Sequence, residues 1–482
     1  MKRISYLCLI VCLLSSTALA RKEPPTKQVA QPDTEDRFEI RNIEGWTTYI
    51  NRDVRKEHPE QLARTLEHLK WELHQIKLAV PAEAVTNMQV NTPIWAEWSE
   101  RVNLSYHPSR RWLLARGYKI PRDPQSMMSM SVRSHVGDSY RHPFVIFHEM
   151  AHGYDFYFVG KGRSYGNNEC QANYERMMDT KTYEKVRIWS GRIGSHYART
   201  NRMEYFAESS EAYFAVNDIY PFVRAELREH DPKMARLIER YWGVDADEIV
   251  KLEADLAAYQ GRTPVVERSK TKPAPTSKYD KRNIDGWTVY VSPNLNSRPG
   301  LCTAMTKILA YKIHMIDHFV GAEGHKHLSP TPIWLEVGGT GPYLRYCDSK
   351  AGLRSENANP DKFRAVEVRD PQRMIDWSML QQADVLGAVA LAYYNRRPQL
   401  ATRTRAAFDK AKKSGKYKSV LRFDGRRVPH PALLSEKRYF AEMMKSYFLV
   451  NDRYPFIRCE LKDQDPDGYK LIADLWEGEP RR

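Results

Sequence analysis

The sequence predicts an α+β fold in which helices dominate, present as two tandem copies of one domain. Motifs from the first half of the chain return in the second half, and a proline- and lysine-rich segment separates the halves. A chain of 482 residues is also too long for one hydrophobic core, so two domains or more are expected.

Three repeated segments support a duplication. Asn-Ile-Glu-Gly-Trp-Thr at 42–47 returns as Asn-Ile-Asp-Gly-Trp-Thr at 283–288, and Thr-Pro-Ile-Trp at 92–95 returns at 331–334. The longest match begins with Tyr-Phe-Ala-Glu at 205–208 and returns from position 439. The offset drifts from 241 to 239 to 234, which indicates duplication with a few deletions. Because this period far exceeds that of solenoid repeats, each copy should be a whole domain.

Each copy begins with a β-like stretch, at 46–50 and at 287–291. In the first copy a long helical pattern follows over 61–78, and a second β-like stretch ends near Ile94 and Trp95. Further helical patterns complete the copy, which is therefore expected to be helix-dominated.

Composition sets the expected boundaries. The chain begins with three features typical of a signal peptide: the basic residues Lys2 and Arg3, an apolar run over 4–14, and Ala-Leu-Ala at 18–20. The apolar run is too short to span a bilayer as a helix of the mature protein. We expect a signal peptide at 1–20, a flexible lead-in at 21–38, a first domain at 39–261, a linker at 262–280 and a second domain at 281–482. The mature chain should be secreted or periplasmic, without a transmembrane segment.

Four cysteines remain after the leader: Cys170, Cys302, Cys347 and Cys459. Export permits disulfides, and four cysteines allow three pairings among which the sequence does not choose. The cysteines are too scattered for a zinc cluster of the Cys-x-x-Cys kind.

The chain is basic, with a formal net charge of +15. Such a surface favours anionic partners such as cell-surface polymers or acidic proteins. The basic residues are dispersed rather than clustered, which favours simple solubility over a specific anion site. No specific nucleic-acid partner is expected.

A metal-binding motif lies at 148–152, where His148-Glu149-Met-Ala-His152 matches His-Glu-x-x-His. On a helix, residues four apart share a face, so both imidazoles can bind one ion. Zinc fits two imidazoles with an open position and lowers the pKa of its bound water toward about 7. Glu149 is then placed to accept a proton from that water as general base.

The third ligand is expected downstream, where Glu204 and Glu208 lie one turn apart on an apolar helical stripe. Acidic residues on such a stripe need partners, which a metal and the second ring nitrogen of a ligand would supply. Thr200 or Asn201 is the expected N-cap. The alternative is a solvated helix edge.

Two further residues are weaker candidates for the site. Asp155, three residues after His152, is a candidate for contact with a ligand, although a surface or structural role fits it as well. His107 is a candidate for the substrate cleft, although a lone histidine is usually structural.

These segments resemble the catalytic domain of anthrax lethal factor and its relatives. In that family a His-Glu-x-x-His helix is followed by Tyr-x-Arg-Thr-Asn-x-x-Glu-[Phe/Tyr]-Phe-Ala-Glu, which the residues at 197–208 match position by position. The resemblance, which covers roughly 144–214, implies a zincin-like metallopeptidase domain with Glu204 as zinc ligand. It also implies that Tyr197 is the catalytic tyrosine that stabilises the oxyanion or the leaving group. The toxin's docking surfaces and substrate do not carry over.

The second copy lacks this chemistry. The offset of 234 places other residues at the positions of His148, Glu149, His152, Tyr197 and Glu204, namely Gln382, Ala383, Leu386, Pro431 and Arg438. Glu208, in contrast, is retained as Glu442, so a structural role competes with a role beside the metal for Glu208. The second copy is therefore expected to be a pseudo-enzyme.

Together these observations predict a secreted zinc metalloendopeptidase, a hydrolase that acts on a protein or peptide substrate. The rival hypothesis is an extracellular binding or structural protein whose zinc site only stabilises the fold. A structural zinc site has four protein ligands, whereas this sequence offers three with a base and a tyrosine beside them.

Overall fold

The computed structural model describes residues 37–100, 104–115, 127–166, 168–262 and 265–476. The expected signal peptide at 1–20, and all but the last two residues of the expected lead-in at 21–38, lie outside the described residues. The fold is mixed, with many helices and small sheets, so the expected α+β class is confirmed at that level.

The first half contains seven strands and eleven helices among the described residues. They are β1 (Phe38–Ile43), β2 (Trp46–Asn51), α1 (Arg52–Glu57), α2 (Pro59–Ala79), α3 (Ala82–Asn91), β3 (Ile94–Glu97), β4 (Leu104–His107), α4 (Arg110–Ala115), β5 (Met127–Ser131), α5 (His135–Asp138), α6 (Val145–Tyr154), α7 (Asn168–Thr180), β6 (Val186–Arg187), β7 (Ile193–Gly194), α8 (Arg202–Phe214), α9 (Arg224–His230), α10 (Pro232–Tyr241) and α11 (Ala246–Gln260).

The second half adds seven strands and nine helices among the described residues. They are β8 (Asp280–Ile284), β9 (Trp287–Val291), α12 (Pro293–Asn296), α13 (Pro299–Leu328), β10 (Ile333–Leu335), β11 (Leu344–Tyr346), α14 (Lys350–Ser355), β12 (Val366–Val368), α15 (Pro371–Asp376), α16 (Asp384–Asn395), α17 (Ala401–Ser414), β13 (Val420–Leu421), β14 (Arg427–Val428), α18 (Glu436–Phe448), α19 (Arg458–Gln464) and α20 (Pro466–Trp476).

Helix α2 shows how local sequence sets an element. Pro59 occupies its first turn, where a missing backbone N–H costs nothing, and Glu60 in the same turn complements the helix dipole. Lys77 in the last turn complements the other end. The apolar side chains of one face, Leu69 and Leu73 among them, are fully buried in the core of the first half.

The first half is built on a five-stranded sheet in the order β1-β2-β3-β5-β4. Strands β2, β3 and β5 are parallel to one another, whereas β1 and β4 run antiparallel at the two edges. Edge strand β4 pairs with β5 only on one side, with Tyr106 opposite Met128. Helix α6 packs against β4, so this edge lies beside the helix that carries the histidine motif.

The second half repeats this arrangement of strands. Its sheet has the order β8-β9-β10-β12-β11, with the same parallel centre and antiparallel edges. A cis peptide bond precedes proline in both halves, at Tyr220-Pro221 and at Tyr454-Pro455. Each half also has a large hydrophobic core of its own.

The two halves meet at a smaller apolar cluster that draws residues from both. Its members are Val216, Phe222, Val223, Ala225, Leu421, Phe456, Ile457 and Cys459. Polar contacts also cross the boundary: Lys307 donates to Glu44 at 2.8 Å, and Gln260 donates to Asp452 at 2.9 Å. The halves therefore share a packed boundary with both apolar and charged contacts.

The segment expected to be a linker follows the surface of the second half. The Ser269 N–H donates to the carbonyl of Glu356 at 3.0 Å, and Asn357 donates to the carbonyl of Ser269 at 3.1 Å. The described part of this segment is largely irregular but hydrogen-bonded along its length.

The four cysteines at 170, 302, 347 and 459 are all buried, and none of the three open disulfide pairings among them is formed. Among the described residues, no helix is both long enough and apolar enough to cross a membrane.

Candidate metal centre

Two packed helices bring the motif residues together. Helix α6 is apolar on most sides and is buried against α8 and β4, and it carries His148 and His152 on one face. Helix α8 begins after Asn201, whose side chain accepts from the backbone N–H groups of Met203 at 2.8 Å and Glu204 at 3.0 Å. Asn201 is therefore the N-cap, and this cap fixes Glu204 in the first helical turn, facing α6.

The three expected ligands converge on one point. Oε2 of Glu204 lies 3.0 Å from Nε2 of His148 and 3.2 Å from Nε2 of His152. All three side chains are buried, and one ligand atom from each lies within 4.8 Å of the others. Ligands at about 2.1 Å from a tetrahedral ion would lie about 3.4 Å apart, so this spacing suits a single ion.

The charges at this point also suit a cation. Burial disfavours a charged His148, but hydrogen bonds with Glu204 and Glu211 outweigh it and raise the pKa of His148 well above its usual value. Burial likewise opposes ionisation of Glu204, and the two histidines nevertheless hold the pKa of Glu204 well below its usual range. The site thus gathers positive charge around a buried carboxylate. A divalent metal ion would satisfy the same atoms, so the residues present fit a metal.

Glu211 contacts the ring nitrogen of His148 that does not face Glu204. Its Oε1 lies 2.7 Å from Nδ1 of His148, and its Oε2 lies 3.0 Å from Nε2 of His142. Glu211 is fully buried. A carboxylate that accepts from Nδ1 fixes the tautomer in which Nε2 carries the lone pair, which is the form that binds a metal.

Glu208 lies farther from the ligand than Glu211. Its Oε1 is 3.7 Å from Nδ1 of His148, and its Oε2 accepts from Asn217 at 3.0 Å. Burial and the charges of Asp218 and Glu211 raise the pKa of Glu208 to about 8. The structure therefore places Glu211, rather than Glu208, in hydrogen-bond contact with the histidine.

Glu149 lies between α6 and the edge of the sheet. Its carboxylate is half-buried and accepts from the backbone N–H of Tyr106 on β4 at 2.7 Å. Since β4 is the outermost strand of the sheet among the described residues, Glu149 joins the helix of the two histidines to the edge of the sheet.

Two tyrosines border the ligands. The ring of Tyr197, which is half-buried, lies 6.3 Å from the ring of His148, measured between centroids. The ring of Tyr165 lies 6.5 Å from that of His152. Burial, together with the charges of Asp155, Glu149 and Glu204, raises the pKa of Tyr165.

The two weaker candidates have other partners. Asp155 is buried and forms an ion pair with Arg202 at 3.1 Å, so it links the end of α6 to the start of α8. His107 stacks on Trp112 with ring centroids 3.8 Å apart, and its Nδ1 accepts from the N–H of Ser109 at 3.0 Å. His107 is the last residue of strand β4 and is not a member of the ligand group.

The corresponding region of the second half has a different charge arrangement. Gln382 and Ala383 precede α16, which begins at Asp384, so the turn equivalent to the one that carries His148 is not helical there. Lys445 stands at the position of Glu211, and its Nζ contacts Glu442 at 3.0 Å and Asp452 at 2.7 Å. Within the described part of the chain, the three groups that could hold a metal all come from residues between 68 and 211.

Sequence reasoning missed Glu211 and Tyr165. The repeat carried a signal for Glu211, because it is replaced by a lysine in the second copy whereas Glu208 is kept. Tyr165 lies in a turn-rich segment between α6 and α7, where spacing gives no indication of its neighbours.

Comparisons with known proteins add no assignment. A scan against protein-family models, a search of curated proteins and a search of solved structures each found no match to this chain.

Proposed function

We propose that this protein is an exported zinc-dependent metalloendopeptidase whose catalytic centre lies in the first half of the chain. The observation that carries the proposal is the convergence of His148, His152 and Glu204 on one buried point, with Glu149 directly after His148 on the helix of the two histidines. The resemblance of 144–214 to the catalytic domain of the lethal factor family supports the same assignment.

The number of ligands favours catalysis over a structural role. Structural zinc sites are closed by four protein ligands, whereas catalytic sites have three and leave one position open. The group here has three: two imidazoles and one carboxylate. A half-buried glutamate follows His148 on the same helix, and two tyrosine rings lie near the histidines.

When bound, zinc would supply Lewis-acid polarisation of a peptide carbonyl and of a water molecule. Glu149 takes a proton from the attacking water and later delivers it to the departing amine. Tyr197 donates a hydrogen bond to the oxygen on which negative charge develops. Glu211 holds the His148 ring in its metal-binding tautomer.

The edge of the sheet suits an extended peptide. Among the described residues β4 is the outermost strand and pairs with β5, and the N–H of Tyr106 on β4 donates to Glu149 on α6. A substrate strand added along β4 would use such backbone groups and would pass Glu149 and the metal ligands. We therefore expect the substrate to be a protein or peptide bound in extended form.

We further propose that the two halves are tandem copies of one zincin-like domain and that the second is a pseudo-enzyme. The identical strand orders and the matching cis-proline positions support the duplication. In the second copy Lys445 occupies the position of Glu211, so a cation stands where the first copy orients a metal ligand.

The proposal is tested by digestion of a proteome-derived peptide library with the purified mature chain. Cleavage should stop when the metal is chelated and return when zinc is restored. If the zinc-loaded, folded chain cleaves no peptide and chelation only unfolds it, the rival hypothesis of a binding protein with a structural zinc is correct.

A further inference from the structure

A second group of metal-ligating side chains lies at the boundary between the two halves, and the proposed peptidase chemistry does not use it. It consists of His68 and Glu72, one turn apart on α2, and His135 at the start of α5. We propose that these three residues bind a second divalent ion of the zinc class, which stabilises the junction between the halves.

The geometry is that of a compact site with two imidazoles and one carboxylate. Nε2 of His135 lies 2.6 Å from Oε2 of Glu72, and Nε2 of His68 lies 3.6 Å from Oε1 of Glu72. The three side chains are 1–2% exposed, and one ligand atom from each lies within 4.8 Å of the others. Ligand atoms about 2.1 Å from a tetrahedral zinc ion lie about 3.4 Å apart. The 3.6 Å between His68 and Glu72 is close to that spacing, whereas His135 and Glu72 are in direct hydrogen-bond contact.

Two atoms in the group point to a ligand independently of that spacing. Nε2 of His68 and Oε1 of Glu72 are both buried, and neither has a hydrogen-bond partner in the part of the chain that the structure describes. Buried polar atoms are ordinarily paired, because an unpaired one costs free energy. The Glu72–His135 contact alone leaves both atoms unsatisfied, whereas an ion placed between them would contact both.

The second half of the chain supplies the surroundings of this site. Nδ1 of His68 lies 3.0 Å from Nε2 of His314 on α13, and the ring of His318 stacks on that of His68 with centroids 4.3 Å apart. With a metal on Nε2, His68 carries its proton on Nδ1 and donates it to His314, as metal-bound histidines usually do to an outer partner. His318 also contacts Ser139 at 3.0 Å. The site therefore lies where α2, the α5 region and α13 meet.

The test is zinc stoichiometry, measured by elemental analysis on the full mature chain equilibrated with zinc alone and then freed of loosely bound metal. Wild type should hold two zinc ions per chain. A His148→Ala/His152→Ala variant should keep one, and Glu72→Gln should lose one. Glu67→Gln is the matched control, because Glu67 is an exposed carboxylate on the same helix, and its stoichiometry should stay at two.

A second measurement covers the case in which Glu72→Gln does not fold. His314→Gln changes only the outer partner, and it should weaken zinc binding by the His148→Ala/His152→Ala chain about 10–100-fold. Zinc should also raise the Tm of that double variant. A folded double variant that holds no zinc and whose Tm does not respond to zinc overturns the proposal.

The outcomes separate this site from the catalytic centre. One zinc per wild-type chain, lost in the His148→Ala/His152→Ala variant and unaffected by Glu72→Gln, refutes the second site and leaves the proposed peptidase intact. One zinc that survives the double variant and is lost with Glu72→Gln supports the second site and counts against the catalytic one.

Discussion

Replacing Glu211 with glutamine tests which carboxylate supports the metal ligand. The change removes the negative charge that lies 2.7 Å from Nδ1 of His148 but keeps the size and shape of the side chain. Glutamine can still accept a hydrogen bond through its carbonyl oxygen, so the loss should come from the charge rather than from a cavity.

The magnitude follows from the role of this contact. Loss of an outer partner of a metal-bound histidine typically costs 10–100-fold in metal affinity, or about 1.4–2.7 kcal/mol. Glu211 is fully buried and also contacts His142 at 3.0 Å, so little solvent screening weakens the interaction. We therefore expect the upper part of that range.

The assay is competition for zinc with a chelator of known affinity. Glu208→Gln is the matched control, because Glu208 lies one turn away on the same helix and 3.7 Å from Nδ1 of His148. Its effect on zinc affinity should be less than about threefold, since it lacks a hydrogen bond to the ligand. If Glu208→Gln weakens zinc binding more than Glu211→Gln does, the assignment of Glu211 is wrong.

Two further predictions concern rate and pH. Tyr197→Phe should lower kcat roughly a hundredfold, or about 3 kcal/mol, with KM and zinc content unchanged, because its hydroxyl acts on charge that develops in the transition state; an unchanged kcat would remove Tyr197 from the catalytic residues. Glu97→Gln should have the same stability as wild type at pH 4 and a higher stability than wild type at pH 8. Burial raises the pKa of Glu97 to about 7 in the folded chain, so the stability of the wild type falls as the pH rises from about 4.5 to 7. The gain at pH 8 should be about 1–2 kcal/mol, reduced for partial exposure, in denaturant titrations of metal-free protein, and equal curves at pH 8 would contradict it.

Local sequence patterns predicted much of the scaffold. The β-like stretch at 46–50 corresponds to β2, the helical pattern at 61–78 lies inside α2, and the second β-like stretch ends in β3. Asn201, one of two expected N-caps, caps α8. These features depend on neighbours within a few residues along the chain, which a sequence displays directly.

The partners of the metal ligands depend on how helices cross, which spacing does not specify. Glu204, Glu208 and Glu211 all lie on buried faces of α8, and only the packing of α8 on α6 decides which carboxylate reaches Nδ1 of His148. The group of His68, Glu72 and His135 at the junction of the halves is harder still to predict from sequence, because His68 and its partner His314 are 246 positions apart.

Under the proposed duplication, the second half has kept the scaffold of the first half and lost its metal site. Glu442 is retained, and there it contacts Lys445 and Asn451 rather than a metal ligand. Lys445 in turn contacts Asp452 at 2.7 Å, so the buried carboxylates are neutralised by a lysine. In the second half, the lysine at position 445 gives the retained Glu442 a structural partner. Retention of an acidic residue in both halves is therefore not enough to assign it to the proposed catalytic centre.

The most direct test of the account is Glu149→Gln, measured for bound zinc and for peptide hydrolysis on the same preparation. Glu149 is not one of the three ligands, and its carboxylate accepts from the backbone N–H of Tyr106 on β4. The variant should therefore hold as much zinc as wild type and lose hydrolysis by several orders of magnitude, because the general base is gone. A variant that retains its zinc and hydrolyses the library as fast as wild type would contradict the proposed catalytic centre.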